Sequence, residues 1–105
     1  MNIGDTLYIK TITGDIIEGT LTWFHTDNII ILDDSWIAHI NQIWQPQQDE
    51  LCQFSNLPSF TPVIAKFLGI NSANYVAEIS NGKGKLHLDS FHYCKPLSYI
   101  TPIKD

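Results

Sequence analysis

The sequence predicts an all-β protein, and three observations lead to this fold class. Apolar residues occur in short runs separated by Gly, Asn, Asp, Ser and Pro, which is typical of strands joined by turns. Several runs alternate between apolar and polar positions, the period of a half-buried strand. No segment has a convincing helical period, although residues 63–68 are compatible with helix or strand.

The first 46 residues contain five strand patterns in succession, at residues 7–12, 17–23, 29–32, 36–40 and 43–44. Gly14 lies in the turn after the first strand. In the second strand, Ile17, Gly19, Leu21 and Trp23 share the face predicted to point into the core. Because a glycine inside a strand marks a sharp bend or a close approach, Gly19 predicts strong curvature. The run at 29–32 is apolar throughout, which predicts a strand buried on both faces.

The second half of the chain predicts further strands. Residues 47–59 are expected to form a polar connector, and residues 60–105 a β extension with strands near 63–70, 75–79, 85–88 and 92–97. Residues 81–84, Asn-Gly-Lys-Gly, are a strong hairpin signal. The extension either packs on the first five strands or supplies their closing hairpin. We predict a single domain over residues 1–105, with its core at 3–46.

A short internal echo raises the alternative of a duplication. The sequence His-Ile-Asn-Gln-Ile at 39–43 resembles His-Leu-Asp-Ser-Phe at 87–91, and each is followed shortly by a proline. One echo of five residues is weak evidence for a repeat.

Composition excludes several classes of function. The net charge is −5, the pI is near 5.1 and the chain has no arginine, whereas proteins that coat duplex DNA are usually basic. No apolar run approaches the roughly 20 residues of a membrane span. The N-terminus lacks the features of a signal peptide. We therefore expect a cytoplasmic protein without a membrane partner, in which Cys52 and Cys94 are reduced, buried thiols; the alternative is one disulfide.

No enzyme chemistry is predicted. His87, Asp89 and His92 are close in sequence, but a catalytic zinc site needs three converging ligands and an open position. The serines have no nucleophile-elbow context, and no pair of carboxylates stands out. We expect no catalytic residue, no metal and no cofactor.

The stretch from Leu7 to Leu32 resembles the Sm/LSm/Hfq-like proteins, and the resemblance covers residues 3–46. Members share a glycine that ends the first strand, a second glycine five residues later, an apolar residue, an aromatic residue, a polar Asp/Asn loop and an aliphatic strand. The residues in these places are Gly14, Gly19, Leu21, Phe24, Asn28 and Leu32. The resemblance implies an Sm-like (SH3-type) small, strongly bent barrel, here with additional C-terminal β-strands.

The resemblance also implies a function. Members of the family join through strand edges into cyclic homo-oligomers of five to seven subunits, and loops that line the ring bind single-stranded RNA. Carried over by position, Asn28 would hydrogen-bond a base, His25 would stack or contact phosphate, Asp27 would shape the loop and His39 would replace the usual cation at the pore. The expected partner is single-stranded RNA, or DNA, with a role in RNA or DNA processing.

Each of these residues has a simpler interpretation. Asn28 suits a turn, His25 an ordinary loop and His39 an ordinary strand position. The three tryptophans are expected in the core or at a subunit interface rather than stacked on bases. Lys83 and Lys85 lack the spacing of a phosphate loop and mark a hairpin tip. The alternative function is a non-catalytic protein-interaction or assembly module on the same barrel, which the acidic composition favours.

Overall fold

The computed structural model describes residues 1–57, 61–80 and 84–102. These residues form nine β-strands and one short 3-10 helix, with no α-helix among them. The all-β prediction is therefore confirmed. The chain divides into two compact units: unit 1 is Met1–Trp44 with the segment that begins at Ser98, and unit 2 is Gln45–Leu97. Whether these units behave as the one domain expected for 1–105 stays a prediction.

Unit 1 is a four-stranded antiparallel sheet in the order β1-β2-β3-β4. After β4 the chain forms the 3-10 helix, and Ile43 then makes an isolated antiparallel bridge to Ile9 of β1. The predicted strand at 43–44 is thus reduced to one bridge. The elements are β1 (Thr6–Lys10), β2 (Ile16–Phe24), β3 (Ile29–Leu32), β4 (Trp36–His39) and the 3-10 helix (Ile40–Gln42).

The long strand β2 is shared between two neighbours, because its first part pairs with β1 and its last part with β3. Gly19 is buried within it, and a Cβ built there would lie 2.6 Å from Cζ2 of Trp36 and 3.2 Å from Cβ of Leu32. Trp36 is held in place, since its Nε1–H donates a hydrogen bond of 3.2 Å to Asp33 Oδ2. Glycine is therefore required at position 19 by the close approach of β4 and β3.

A β-bulge in β2 changes which residues face the core. Leu21 pairs with Leu32 and Trp23 pairs with Ile31, so Thr22 is an extra residue on β2. An extra residue reverses the alternation beyond it. Trp23, predicted on the core face, is accordingly 62% exposed. That prediction is wrong for this residue, and the bulge is the reason.

Alternating burial in β3 and its neighbours builds the core of unit 1. The prediction that β3 is buried on both faces is only half right, because Ile30 and Leu32 are buried whereas Ile29 and Ile31 are partly exposed. Leu7, Trp36 and Ile43 are partly buried and pack against a cluster of fully buried aliphatic residues. The cluster consists of Ile9, Leu21, Ile30, Leu32 and Ala38.

Unit 2 is a five-stranded antiparallel sheet in the order β8-β7-β6-β5-β9. The strand β5 lies inside the segment expected to be a connector. It is a strand because burial alternates along it: Cys52 and Phe54 are fully buried, whereas Gln53 and Ser55, the residues that follow them, are partly exposed. The ambiguous run at 63–68 belongs to a strand. The elements are β5 (Leu51–Ser55), β6 (Val63–Asn71), β7 (Asn74–Ser80), β8 (Leu86–Phe91) and β9 (Tyr93–Pro96).

The connection between β8 and β9 shows that this sheet is curled. The two strands are at opposite edges, which a flat sheet of five strands would hold about 19 Å apart. Only His92 separates them in the chain, and two Cα–Cα steps span at most about 7.6 Å. The sheet must curl into a half-barrel to bring its edges together. Because β9 pairs with β5, it is part of unit 2 and not a closing hairpin for the first five strand patterns.

Several smaller expectations can now be compared with the structure. The strands that flank the predicted Asn-Gly-Lys-Gly hairpin, β7 and β8, pair in antiparallel fashion, whereas residues 81–83 of its turn lie outside the described residues. Cys52 and Cys94 are free thiols, the first buried and the second partly buried. In the part of the chain that the structure describes, no helix is long and apolar enough to cross a membrane.

Candidate nucleic-acid interface

The loop between β2 and β3 is a tight turn held by its own backbone. The N–H groups of His25 and Thr26 both donate to the carbonyl oxygen of Ile29, at 3.0 and 3.1 Å. The hydroxyl of Thr26 accepts hydrogen bonds from the N–H groups of Asn28 and Ile29, at 3.2 and 3.1 Å. The turn is thus closed by Thr26, and the side chains of His25, Asp27 and Asn28 are exposed around it.

His39 is brought next to this loop by strand pairing. It lies opposite Ile29 at the end of β4, and its N–H donates to Oε1 of Gln42 at 2.9 Å. The following N–H, that of Ile40, donates to the carbonyl oxygen of Asn28 at 3.0 Å. The four residues predicted from the resemblance therefore converge at one end of the sheet, and the backbone at Asn28 and His39 is fixed by hydrogen bonds.

The side-chain amide of Asn28 is available for a ligand. Among residues 1–57, 61–80 and 84–102, no hydrogen bond is made by this amide, although its backbone N–H and carbonyl oxygen are both bonded. An exposed amide offers both donors and an acceptor. Such a group can read the edge of an unpaired base.

Two aromatic residues adjoin this loop, and neither is among the site residues that the resemblance implies. Trp23 is exposed because of the bulge in β2, and Phe24, the last residue of that strand, is 43% exposed. We call Trp23, Phe24, His25, Asp27, Asn28 and His39 together the loop end of unit 1. Trp23 is exposed because of the bulge, whereas simple alternation along the strand predicts that it points into the core. Its exposure could therefore not be predicted from the sequence.

Charge at the loop end is unfavourable for phosphate. Asp27 is exposed there, and Lys10 is the one lysine of residues 1–44. Lys10 pairs with Ile16 at the opposite end of β2 from the loop. The same 44 residues contain six acidic residues, namely Asp5, Asp15, Glu18, Asp27, Asp33 and Asp34. Any nucleic acid bound here would have to be held by its bases rather than by its backbone.

The two glycines predicted to be structural have distinct roles. Gly14 has a φ of +91° in the turn between β1 and β2, a conformation that side chains rarely adopt. Gly19 fits under Trp36, as described above. Both lie away from the loop end, and they act by shaping β2, which carries Trp23 and Phe24 to that end.

The other candidate chemistry does not converge. His87 and Asp89 are exposed on β8, and His92 is exposed between β8 and β9. Within the described ranges, no group of three or more His, Cys, Asp or Glu residues is arranged to hold a metal ion.

Comparison of this chain with protein-family models, with curated proteins and with solved structures finds no match.

Proposed function

We propose that this chain is an Sm-like, ring-forming protein that binds single-stranded RNA, or another single-stranded nucleic acid, at the loop end of unit 1. The observation that carries the proposal is that Trp23, Phe24 and Asn28 are all exposed at the same end of the sheet. Support for a barrel in unit 1 comes from the return of Ile43 to pair with Ile9 of β1 and from the glycine that the close approach of β3 and β4 to β2 requires.

The proposed contact depends on stacking rather than on charge. A base stacked on an aromatic ring is held by about 1–3 kcal/mol, and every base presents such a face. Trp23 and Phe24 would supply the rings, Asn28 would bond a base edge, and His25 and His39 would stack or approach phosphate. A closed ring of five to seven subunits would repeat these weak contacts and raise the overall affinity.

The first test measures binding of fluorescent oligo-uridine and oligo-adenosine by anisotropy. Trp23→Ala should weaken binding at least tenfold, since one stacking contact is lost in each subunit. Asn28→Ala should also weaken binding, through loss of the base contact. Ile12→Ala is the matched control, because Ile12 is fully exposed in the turn at the opposite end of β2. Equal affinity for the parent, Trp23→Ala and Asn28→Ala would contradict the proposal.

Salt and pH give an independent signature of the same contact. Basic proteins lose affinity for nucleic acid as salt rises, whereas an acidic unit that binds through bases should show a flat or rising affinity between 50 and 200 mM salt. Histidine gains positive charge as the pH falls toward 6. Affinity should therefore increase between pH 7.5 and pH 6 in the parent, and this increase should be smaller in His39→Ala, which keeps His25 at the same end of the sheet.

A second candidate is an assembly or protein-interaction module without nucleic acid, and an apolar row favours it. Trp23, Ile31 and Ile37 pair side by side across β2, β3 and β4, and Ile37 is 68% exposed. The edge strand β4 begins the segment 36–44, which contains no charged Lys, Arg, Asp or Glu. Uncharged edges with an apolar face invite pairing with another chain.

The mass of the parent at about 50 μM, by sedimentation velocity, tests the predicted oligomer. Ile37→Lys should dissociate it, because a charge on an edge strand opposes pairing. Leu88→Lys is the control, since Leu88 is 65% exposed on β8, the edge strand of unit 2. A monomeric parent would contradict ring formation. An oligomer that dissociates in Ile37→Lys but never binds RNA would favour the assembly module.

A further inference from the structure

The C-terminal segment of the chain, Ser98–Pro102, lies along the first part of β2. The N–H of Ile100 donates to the carbonyl oxygen of Ile16 at 2.7 Å, and the N–H of Glu18 donates to the carbonyl oxygen of Ile100 at 2.8 Å. Ile17 and Ile100 form a parallel bridge. The segment is thus a short added strand.

The bend of β2 creates the place for this strand. Residues 16–20 pair with β1 on one side, whereas β3 pairs with β2 only from Leu21 onward. The second edge of Ile16–Glu18 is therefore left to the C-terminal segment. Recognition is mainly through backbone groups, as in peptide binding by strand addition. One side chain adds to it: the ring of Tyr99 packs against that of Tyr8, with centroids 4.9 Å apart.

The segment is held by few contacts. Ile100, the residue that makes both backbone hydrogen bonds, is 51% exposed. Two cavities are lined jointly by the segment and by β2, one beside Gly14–Ile16 and the other beside Glu18–Thr20. Because its anchor is exposed and cavities lie beside it, we expect this segment to be at the low end of local stability and to open readily.

We propose that the edge of Ile16–Glu18 is a strand-addition site that also accepts the Ser98–Pro102 segment of a second copy of this chain, so that two copies exchange their C-terminal segments. The second copy is the occupant that the structure favours, because the sequence that fits the edge is the chain's own. Ser98 follows directly on Leu97, the last residue of unit 2. Exchange therefore requires a change of backbone direction at this junction. This inference does not depend on nucleic-acid binding.

A fluorescent peptide with the sequence of residues 98–105, added to the full-length chain, tests the site. In the parent, the attached segment competes at a high effective concentration and should exclude the peptide. Ile100→Pro removes the N–H that bonds Ile16 and should free the edge, so that this variant binds the peptide at least tenfold more tightly than the parent. Thr101→Pro is the matched control, because it adds a proline and leaves both hydrogen bonds of Ile100 in place.

The control peptide carries proline at the position of Ile100 and should not bind. Equal binding of the two peptides to Ile100→Pro, or no binding at all, would overturn the site. If circular dichroism shows that Ile100→Pro is unfolded, Tyr99→Ala provides the same measurement, since it removes the ring contact with Tyr8 and retains the backbone groups.

Exchange between copies is tested by sedimentation equilibrium of the same variants at rising concentration. The parent and Thr101→Pro should show an association step that Ile100→Pro lacks. Identical masses for the parent and Ile100→Pro at every concentration would overturn the second copy as the occupant. Association through the edge of β4 would occur equally in the parent and in Ile100→Pro. A difference between these two proteins therefore reports on exchange of the C-terminal segment and not on pairing of β4.

Discussion

Units 1 and 2 follow the same path with different side chains. In each, four antiparallel strands are followed by a residue or strand that returns to pair with the first strand, and the second strand has nine residues and a register shift. In unit 2 the return is the full strand β9, whereas in unit 1 it is one bridge at Ile43. The two units therefore share a long second strand with a register shift and differ in the length of the closing strand.

Register identifies equivalent positions in the two units. Gly19 lies opposite Leu7 in unit 1, and Ala65 lies opposite Cys52 in unit 2. Both are small and buried at the bend. The surrounding cores differ, because unit 1 buries mainly aliphatic residues together with Tyr8 and the partly buried Trp36, whereas the large buried side chains of unit 2 are phenylalanines. The buried phenylalanines of unit 2 are Phe54, Phe67 and Phe91.

Charge also separates the units. Residues 1–44 contain one lysine and six acidic residues, whereas residues 45–97 contain four of each. The acidic excess of the chain therefore resides in the unit that carries the loop end. This is why the proposed nucleic-acid contact must depend on bases, and why its response to salt is informative.

The largest expected effect tests whether the two units unfold as one domain. Phe54 is fully buried in unit 2, and Phe54→Ala should cost about 3–5 kcal/mol through lost burial and a cavity. All three tryptophans are in residues 1–44, so tryptophan fluorescence reports on unit 1 alone. If 1–105 is one domain, urea unfolding followed by fluorescence and by far-UV circular dichroism should shift equally. An unchanged fluorescence midpoint would show that the units unfold separately.

A smaller effect concerns the bends of the two long strands. Gly19→Val should cost about 3 kcal/mol, because the new side chain collides with Trp36 and Leu32. Gly69→Val is the matched control in β6, since a Cβ at Gly69 has no neighbour within 4 Å, and it should change stability by less than about 0.5 kcal/mol. Urea unfolding measures both. Equal costs would mean that close packing at Gly19 is not what the bend requires.

The smallest effect, at most about 1.4 kcal/mol for each pH unit, is the response of each unit to alkaline pH. Burial, followed by Tyr99 and Glu18, raises the pKa of Tyr8 in unit 1. Burial, followed by Cys52, raises the pKa of Cys94 in unit 2. Both groups stay protonated in the folded chain while they ionise in the unfolded chain. Their stabilisation is complete below the unfolded pKa, about 8.5 for cysteine and 10 for tyrosine, and declines as the pH rises above it.

Unfolding free energies measured from pH 7 to pH 11 separate these two contributions. Cys94→Ala should reduce the decline that starts near pH 8.5, and Tyr8→Phe the decline that starts near pH 10, each by at most about 1.4 kcal/mol per pH unit. Tyr8→Phe keeps the ring that contacts Trp44 and Tyr99. A parent whose stability is constant from pH 7 to 11 would contradict both assignments.

Much of unit 1 could be predicted from the sequence, because local pattern and local structure agree there. The turn at Gly14, the strand at 29–32 and the glycine in the bent strand are each recognisable from residue type and spacing. The polar loop residues His25, Asp27 and Asn28 could be placed for the same reason. His39 could be assigned to this site only through the resemblance, since no local pattern links it to Asn28, eleven residues earlier in the chain.

The short echo illustrates the limit of sequence comparison. Residues 39–43 form the end of β4 and the 3-10 helix, whereas residues 87–91 lie inside β8, so the echo does not join equivalent positions. The similarity between the units is in strand order, which pairing across the sheet defines and neighbouring residues do not. The strand β5 is hard to recognise for a related reason. Its two core residues, Cys52 and Phe54, lie in a largely polar stretch, and they are buried in a sheet where β5 pairs with β6 and β9.

By itself the sequence determined an all-β chain, its main turns and the acidic character of its first half, because these follow from the alternation, residue types and charges of neighbouring residues. Tertiary structure decided the rest. The bulge at Thr22 exposes Trp23, the return of β9 to β5 makes residues 45–97 a separate unit, and the C-terminal segment occupies an edge of β2. Each of these depends on which strands pair and in what register, and distant residues settle that choice through the surface they bury together.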